Sequence, residues 1–369
     1  MSRVHDDLAD RIRARIRAEG PMTVADYMAL CLSDPAGGYY VTRDPFGTAG
    51  DFITAPEVSQ MFGELVGAVL AHGWQLAGRP QPFVLAEPGP GRGTLMADIV
   101  RVLRLVPGLL AAADLRFVEV SPVLRAAQAR AVAPFGLEAH WHDSLAGLPD
   151  GPLLLVANEF FDALPVRQFV AADGVWRERV VGLGPEGELA FGIGAGVLGH
   201  DGLPAHLHPH DDGAVLETCA PATALMGEIA RRIVAFGGMA LIIDYGHVQS
   251  AVGDTFQALK AHRMVDPLAT PGEADLTAHV DFGALARAAQ AAGARVHGPV
   301  EQGTFLIRTG LLERAGQLGA GKTAAVQDEL RAAVERLAGP EQMGRLFKVM
   351  AVTRAGIATP DLPGFSGAL

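Results

Sequence analysis

Cysteine and lysine are scarce in this sequence, and it contains no long apolar or basic runs. The two cysteines, Cys31 and Cys219, have no C-x-x-C partner, so two reduced, buried thiols are expected. Lysine occurs only at Lys260, Lys322 and Lys348, against abundant arginine and alanine, a bias read as genome composition. Net charge is −11 with no basic run, which argues against a nucleic-acid binder held by bulk electrostatics. No apolar run reaches the roughly 18 residues of a membrane span. The first residues are Arg-rich but carry Asp6, Asp7 and Asp10 and lack an apolar core. They read as neither a signal peptide nor a good transit peptide, and a cytoplasmic location is expected. What is plentiful is apolar: 49% of the 369 residues are hydrophobic. A sizeable core follows, in one large domain or two ordinary ones.

The most informative stretch is F-V-L-A-E-P-G-P-G-R-G-T, residues 83–94. Phe83 to Ala86 predicts a buried parallel strand, and L-M-A-D-I-V-R-V-L after Thr94 has helical spacing. Strand, glycine loop and helix form the nucleotide-binding turn of an open α/β sheet. Gly89, Gly91 and Gly93 are expected to let a ligand approach the backbone where a Cβ would collide. A dinucleotide fingerprint wants Gly or Ala where Thr94 stands. Glu87, two residues before the first glycine, would repel a pyrophosphate and favour a cationic or amine-bearing ligand. The order E-x-G-x-G-x-G resembles the first motif of class I S-adenosylmethionine (SAM) methyltransferases, in which the loop holds the methionine part of the cofactor.

Around this centre the chain predicts a mainly helical front piece, residues 1–80, and a main domain, 81–369, with insertions near 166–215 and 302–346. In the front piece, helices are expected over 3–18, from a cap at Thr23, and over 57–76. The glycine- and proline-rich loop between them, 43–57 in particular, is expected to act as a lid. In the main domain, L-R-F-V-E ends a second strand at Glu119, placed to accept hydrogen bonds from ribose hydroxyls. Asp143 and Ser144 either sit beside an adenine at the end of a third strand or cap the next turn. P-L-L-L-V-A is a fourth strand, closing in N-E-F-F-D. Asn158, Glu159 and Asp162 thus crowd the carboxyl end of a core strand, where ligands bind in such sheets. Residues 166–193 alternate as an antiparallel ribbon. His206, His208, His210 and Asp211 have the residue types of metal ligands but lie on a Pro/Gly loop that no helix fixes, so a solvated loop is expected and no metal. Further strands are expected at 239–246, 295–300 and 347–354, and a helical stretch over 302–346 broken at Gly339-Pro340.

Six stretches together resemble the MidA family (mitochondrial dysfunction protein A). They are G-D-F-I-T-A-P-E-V-S-Q-M-F-G-E (50–64), A-E-P-G-P-G-R-G-T-L-M-A-D (86–98), N-E-F-F-D-A-L-P (158–165), D-Y-G (244–246), D-L-T-A-H-V-D-F (275–282) and M-G-R-L-F-K-V-M (343–350). The resemblance spans nearly the whole chain. It implies a class I methyltransferase fold, SAM as cofactor, and symmetric dimethylation of arginine in a respiratory complex I core subunit or its bacterial counterpart. The lack of a convincing transit peptide suits a bacterial cytoplasmic member. Glu87, Gly89, Pro90, Gly91, Gly93, Glu119, Asp143, Ser144, Asn158 and Thr54 are the expected cofactor contacts.

The residues also suit that chemistry. Methyl transfer from a sulfonium is an in-line displacement, and the enzyme mainly positions the nucleophile. A guanidinium is cationic, and carboxylates that grip it bidentately orient one nitrogen and take up its charge. Glu159, Asp162 and Asn158 are the expected catalytic residues, with Asp51 or Asp244 as additional candidates. Carboxylates would equally bind a lysine or a small amine, so the acceptor rests on the resemblance. Two alternatives stand: a non-catalytic assembly chaperone using the fold as a platform, and a nicotinamide-dependent oxidoreductase, which Glu87 and Thr94 disfavour.

Overall fold

The computed structural model describes residues 7–42, 54–199, 201, 203–209, 211–358 and 361–365. The chain divides into two compact units. One holds residues 1–52, 162–222 and 249–281, the other 53–161, 223–248 and 282–369. This division differs from a boundary near residue 80. The helix Gln60–Leu76 joins the sheet-bearing unit because its apolar side chains, Phe62, Val66, Val69 and Leu70 among them, are buried in the same core as the strands.

The sheet-bearing unit is built on β1 (Phe83–Pro88), β2 (Ala113–Val118), β3 (Ala139–His142), β4 (Leu153–Asn158), β5 (Gly238–His247), β6 (Arg295–Glu301) and β7 (Phe347–Thr353). Their order is β3-β2-β1-β4-β5-β7-β6. The pairs β1–β2, β2–β3, β1–β4 and β4–β5 are parallel, and β7 runs antiparallel between β5 and β6. Every residue of β1, β4 and β7 is buried. Strands covered on both faces need continuous apolar runs, as F-V-L-A and L-L-L-V-A supply.

Order reverses at β1, whose chain leaves to β2 on one side while β4 returns on the other. Such a switch point opens a crevice at the carboxyl ends of the strands. The β1–β4 register ends at Ala86↔Leu155, so Glu87 and Asn158 lie beyond the last paired residues. Helices α1 (Gln60–Leu76), α2 (Thr94–Leu103), α3 (Pro122–Val132), α4 (Ala220–Phe236) and α5 (Phe282–Ala291) accompany the sheet.

Two helical expectations need correction. The stretch 57–76 is interrupted at Ser59, whose extended backbone and hydroxyl, accepting from the Met61 amide, start α1 afresh after a short turn, Ala55–Val58. The stretch 302–346 is four helices, Gln302–Arg308, Leu311–Gly319, Ala324–Ala338 and Met343–Leu346. Gly310, at φ 102°, ends the first, and Thr323 caps the third by accepting from the Val326 amide.

The other unit starts with helices Leu8–Glu19 and Val24–Ser33, the second capped by Thr23, which accepts from the Asp26 amide at 3.0 Å. Residues 3–6 of the expected first helix lie outside the described residues. Arg11 ties the first helix to Asp34 at 2.6 Å. Strands Arg167–Ala172, Val175–Leu183 and Leu189–Leu198 form the antiparallel ribbon, extended by Val215–Thr218 and Met22–Thr23. A three-stranded sheet, 257–260, 263–265 and 275–277, completes it.

Candidate active site

The sheet-bearing unit gathers most of the expected residues at the switch point. Glu87 is the penultimate residue of β1 and is 3% exposed. Burial pushes its carboxyl up to about 8. Its Oε2 has no hydrogen-bond partner among the described residues, and neither has Oδ1 of buried Asn158, at the end of β4. A buried acceptor left unpaired costs about 1–3 kcal/mol, more when charged. Two of them at the carboxyl ends of β1 and β4 form a place prepared for a donor-rich, cationic group.

The loop after Glu87 is left-handed at Gly89, Gly91 and Gly93, with φ of 60°, 53° and 84°. The expected reason for these glycines changes at two of the three. A Cβ on Gly89 would lie 2.8 Å from Cδ2 of Phe160, and one on Gly93 would lie 3.1 Å from Cα of Gln128. Both therefore yield room to the protein's own chain, from the N-E-F-F turn and from α3. Pro90 is buried and its carbonyl accepts from the Gly93 amide at 2.8 Å.

Glu119 follows β2. Its Oε1 accepts from the Ser121 amide at 2.8 Å and its Oε2 from Gln128 Nε2 at 3.2 Å. Burial raises its pKa, and those hydrogen bonds oppose the rise. Beside it Val120 and Val123 are exposed apolar side chains, at 57% and 65%. Asp143 and Ser144 are exposed. Asp143 pairs with Arg125 at 2.5 Å. Ser144 precedes the short turn Leu145–Gly147 and makes no side-chain cap bond to it.

Glu159 has a backbone φ of 48°, uncommon for a residue with a Cβ and a strain of order 1–3 kcal/mol. Its amide donates to the Ile243 carbonyl at 2.9 Å. Its Oε1 accepts from Asn158 Nδ2 at 3.1 Å and from the Ala55 amide at 3.3 Å. Asp244, 1% exposed, accepts the next two amides, Phe160 at 3.2 Å and Phe161 at 3.0 Å, on Oδ2. Its Oδ1 accepts from the Tyr245 amide at 2.9 Å. Asp244 thus holds the turn that carries Glu159.

Thr54 is buried and opens the Ala55–Val58 turn, its carbonyl accepting from Glu57 and Val58. Glu57 in turn accepts from Thr94 Oγ1 at 2.8 Å, joining this turn to the glycine loop.

Asp162 belongs to the other unit. It is buried, and its carbonyl accepts from the Ala278 amide at 3.0 Å. There Tyr40 donates to Asp275 at 2.8 Å, and its phenol is raised well above its usual range by burial and by the charges of Asp275 and Asp162. Asp51 and residues 43–53 of the expected lid (43–57) lie outside the described residues, as does His210. His206 meets the Ser250 carbonyl at 3.0 Å. Among the described residues no group of three or more His, Cys, Asp or Glu side chains is arranged to hold a metal.

Sequence reasoning missed Gln128 and the structural role of Asp244. Nothing in V-L-R-A-A-Q-A-R-A sets Gln128 apart from a solvated helix face; only its burial, at 0% exposure, does so.

The sheet order, the left-handed glycine loop and the unpaired acceptors at the switch point define a class I SAM-dependent methyltransferase. SAM fits the acceptors present. Its ammonium suits Glu87 and Asn158, its ribose diol suits Glu119, and none of these needs the phosphate that Glu87 would repel.

Known proteins agree. The profile of a family of S-adenosyl-L-methionine-dependent methyltransferases matches residues 65–300. The chain is 41% identical to the Drosophila melanogaster protein named "Protein arginine methyltransferase NDUFAF7 homolog, mitochondrial", over 94% of this chain and 85% of that one. It is 37% identical to the Homo sapiens protein named "Protein arginine methyltransferase NDUFAF7, mitochondrial", over 92% and 81%. A Burkholderia thailandensis crystal structure bound to S-adenosyl-homocysteine superposes with a TM-score of 0.82 at 29% identity, covering 98% of this chain and 93% of that one. The chain belongs to the MidA family of SAM-dependent methyltransferases. No helix among the described residues is long and apolar enough to cross a membrane.

Proposed function

We propose that this enzyme methylates an arginine of a protein, with Glu159 as the carboxylate that receives the guanidinium. The observation that carries the proposal is Glu159 itself: a half-buried acid in a left-handed conformation at the end of β4, fixed by Asp244 and Ile243. Strain at a functional carboxylate is expected where the surrounding structure over-determines its aim. The relatives named as protein arginine methyltransferases support the same acceptor.

The bound cofactor supplies an electrophilic methyl group on a sulfonium. The chain's own residues do the rest. Glu87 and Asn158 hold the methionine ammonium, Glu119 the ribose, and the backbone of Gly89, Pro90, Gly91 and Gly93 shapes the loop beneath. The exposed faces of Val120 and Val123 offer an apolar bed for the adenine, with Asp143 and Ser144 at its edge. Thr54 closes the cofactor side through its turn. Glu159 orients one guanidinium nitrogen for in-line attack, balances its charge as the methyl arrives and takes up the proton that this nitrogen then releases. The partner implied by the family is a subunit of respiratory complex I or its bacterial counterpart.

Mass spectrometry of arginine methylation in cells with and without this gene tests the proposal. A site dimethylated only when the gene is present is the expected result. Identical arginine methylation in both would leave the non-catalytic chaperone in its place.

A further inference from the structure

Gln128 lies in the middle of α3, fully buried, yet it is polar. Its Nε2 donates to the Gly91 carbonyl at 2.8 Å and to Glu119 Oε2 at 3.2 Å. Its Oε1 accepts from Trp141 Nε1, on β3, at 2.8 Å. The indole can only donate, whereas the carbonyl and the carboxylate can only accept. Trp141 therefore dictates which way the amide faces and turns both of its N–H groups toward the cofactor loop and the acid. Neither a leucine nor a glutamate would do this. The first would leave the buried Gly91 carbonyl and the half-buried Glu119 and Trp141 without this partner, and the second would set a carboxylate against Glu119 and against the Gly91 carbonyl.

The surroundings reinforce the arrangement. α3 stands so close to the loop that a Cβ on Gly93 would lie 3.1 Å from Cα of Gln128. One turn earlier on α3, Arg125 Nε donates to the backbone carbonyl of Glu119 at 2.7 Å, and its Nη2 pairs with Asp143. Glu119 is thus held by its carboxylate from Gln128 and by its backbone from Arg125, two residues three apart on the same helix face.

We propose that Gln128 is a positioning residue that sets the register between the glycine loop and Glu119 and so determines how strictly the site demands the ribose diol of its cofactor. The proposal rests on the reading that Glu119 receives that diol. A buried amide of this kind acts through the aim of the two acceptors, so its loss should erase selectivity for the hydroxyl more than it weakens the fold.

The test is calorimetric binding of S-adenosylhomocysteine and of its 2′-deoxy counterpart to the full chain, in wild type, Gln128→Met and Gln128→Glu. Gln128→Glu keeps side-chain volume and the acceptor for Trp141, so it carries the test should Gln128→Met fail to fold. Circular dichroism on each preparation records the fold. Wild type is expected to bind the deoxy compound about tenfold more weakly, in line with a hydrogen bond to a charged group. In the variants, affinity for S-adenosylhomocysteine should fall by about tenfold and the ratio between the two compounds should approach one. Equal weakening for both compounds, with the wild-type ratio kept, would show a purely structural glutamine and overturn the proposal. A wild type indifferent to the hydroxyl would instead remove Glu119 from the ribose, and the proposal with it.

Discussion

The backbone amide of Ala55 donates to Oε1 of Glu159 across 3.3 Å. That contact joins the T-A-P-E turn to the turn after β4. Because Glu57 of the same turn accepts from Thr94, the segment bridges the proposed acceptor carboxylate and the cofactor loop. A substitution at either end is therefore expected to be felt at the other.

Cofactor affinity should rise with pH up to about 8. Glu87 is neutral in the empty site below about 8, and a methionine ammonium needs the carboxylate. Affinity measured from pH 6 to pH 9 should climb toward about 8 and fall again above it, as the ammonium of the free cofactor loses its proton. The empty enzyme should show the opposite trend. Because the folded-state pKa is raised, the stability contribution of Glu87 is fully present below its unfolded value and is lost as pH rises through about 8. Glu87→Gln should thus raise the melting temperature of the empty protein at pH 8 by several degrees while abolishing measurable SAM binding. A flat affinity profile, or a Glu87→Gln protein that binds normally, would take Glu87 out of the site.

Gly89→Ala tests the close approach of the loop to the N-E-F-F turn. The new Cβ would lie 2.8 Å from the Phe160 ring on a backbone with φ of 60°. SAM affinity should fall by about tenfold or more, as a displaced loop and a left-handed alanine each cost about 1 kcal/mol or more. Phe160→Leu should recover part of that loss in the double variant. No recovery would mean that backbone strain alone, and not the ring, limits the loop.

Asp244→Ala leaves the amides of Phe160 and Phe161 without their acceptor. Two buried donors unpaired cost about 1–3 kcal/mol each. Turnover should drop by at least tenfold along with melting temperature, and Asp244→Asn, which keeps one acceptor oxygen, should lie between. Full turnover in Asp244→Ala would show that the Glu159 turn holds its shape without this carboxylate.

The central strand and its glycine loop were legible because their signals are local: an apolar run, three glycines and helical spacing lie within one short stretch. The acids at 87, 119 and 159 were legible for the same reason, Glu87 near the end of β1 and the other two just after β2 and β4. The two interleaved units were not. Residues 162–222 and 249–281 group with the first 52 residues in one unit, and no periodicity records which non-adjacent segments pack together. The break at Ser59 is not legible in the sequence, because one serine in E-V-S-Q-M reads as polar helix and only its hydroxyl bond to the Met61 amide marks a cap. Gly310 and Gly321 were visible as glycines within 302–346, but only their left-handed backbones, at φ 102° and 70°, mark them as helix ends. Gln128 stayed hidden because burial of a helix face is decided by its partners.

The most direct measurement is single-turnover methyl transfer by wild type and Glu159→Gln. Each enzyme is loaded with methyl-labelled SAM and mixed with protein extract from cells that lack the gene. Label is counted as methylarginine after hydrolysis, and SAM affinity is measured on the same preparations. Glu159→Gln keeps the shape and reach of the side chain but removes the charge that the guanidinium needs. The account predicts methylarginine from wild type and a rate about two orders of magnitude lower in the variant, with SAM affinity little changed. Label on another amino acid, a near-normal rate in the variant, or a matched loss of SAM affinity would contradict it.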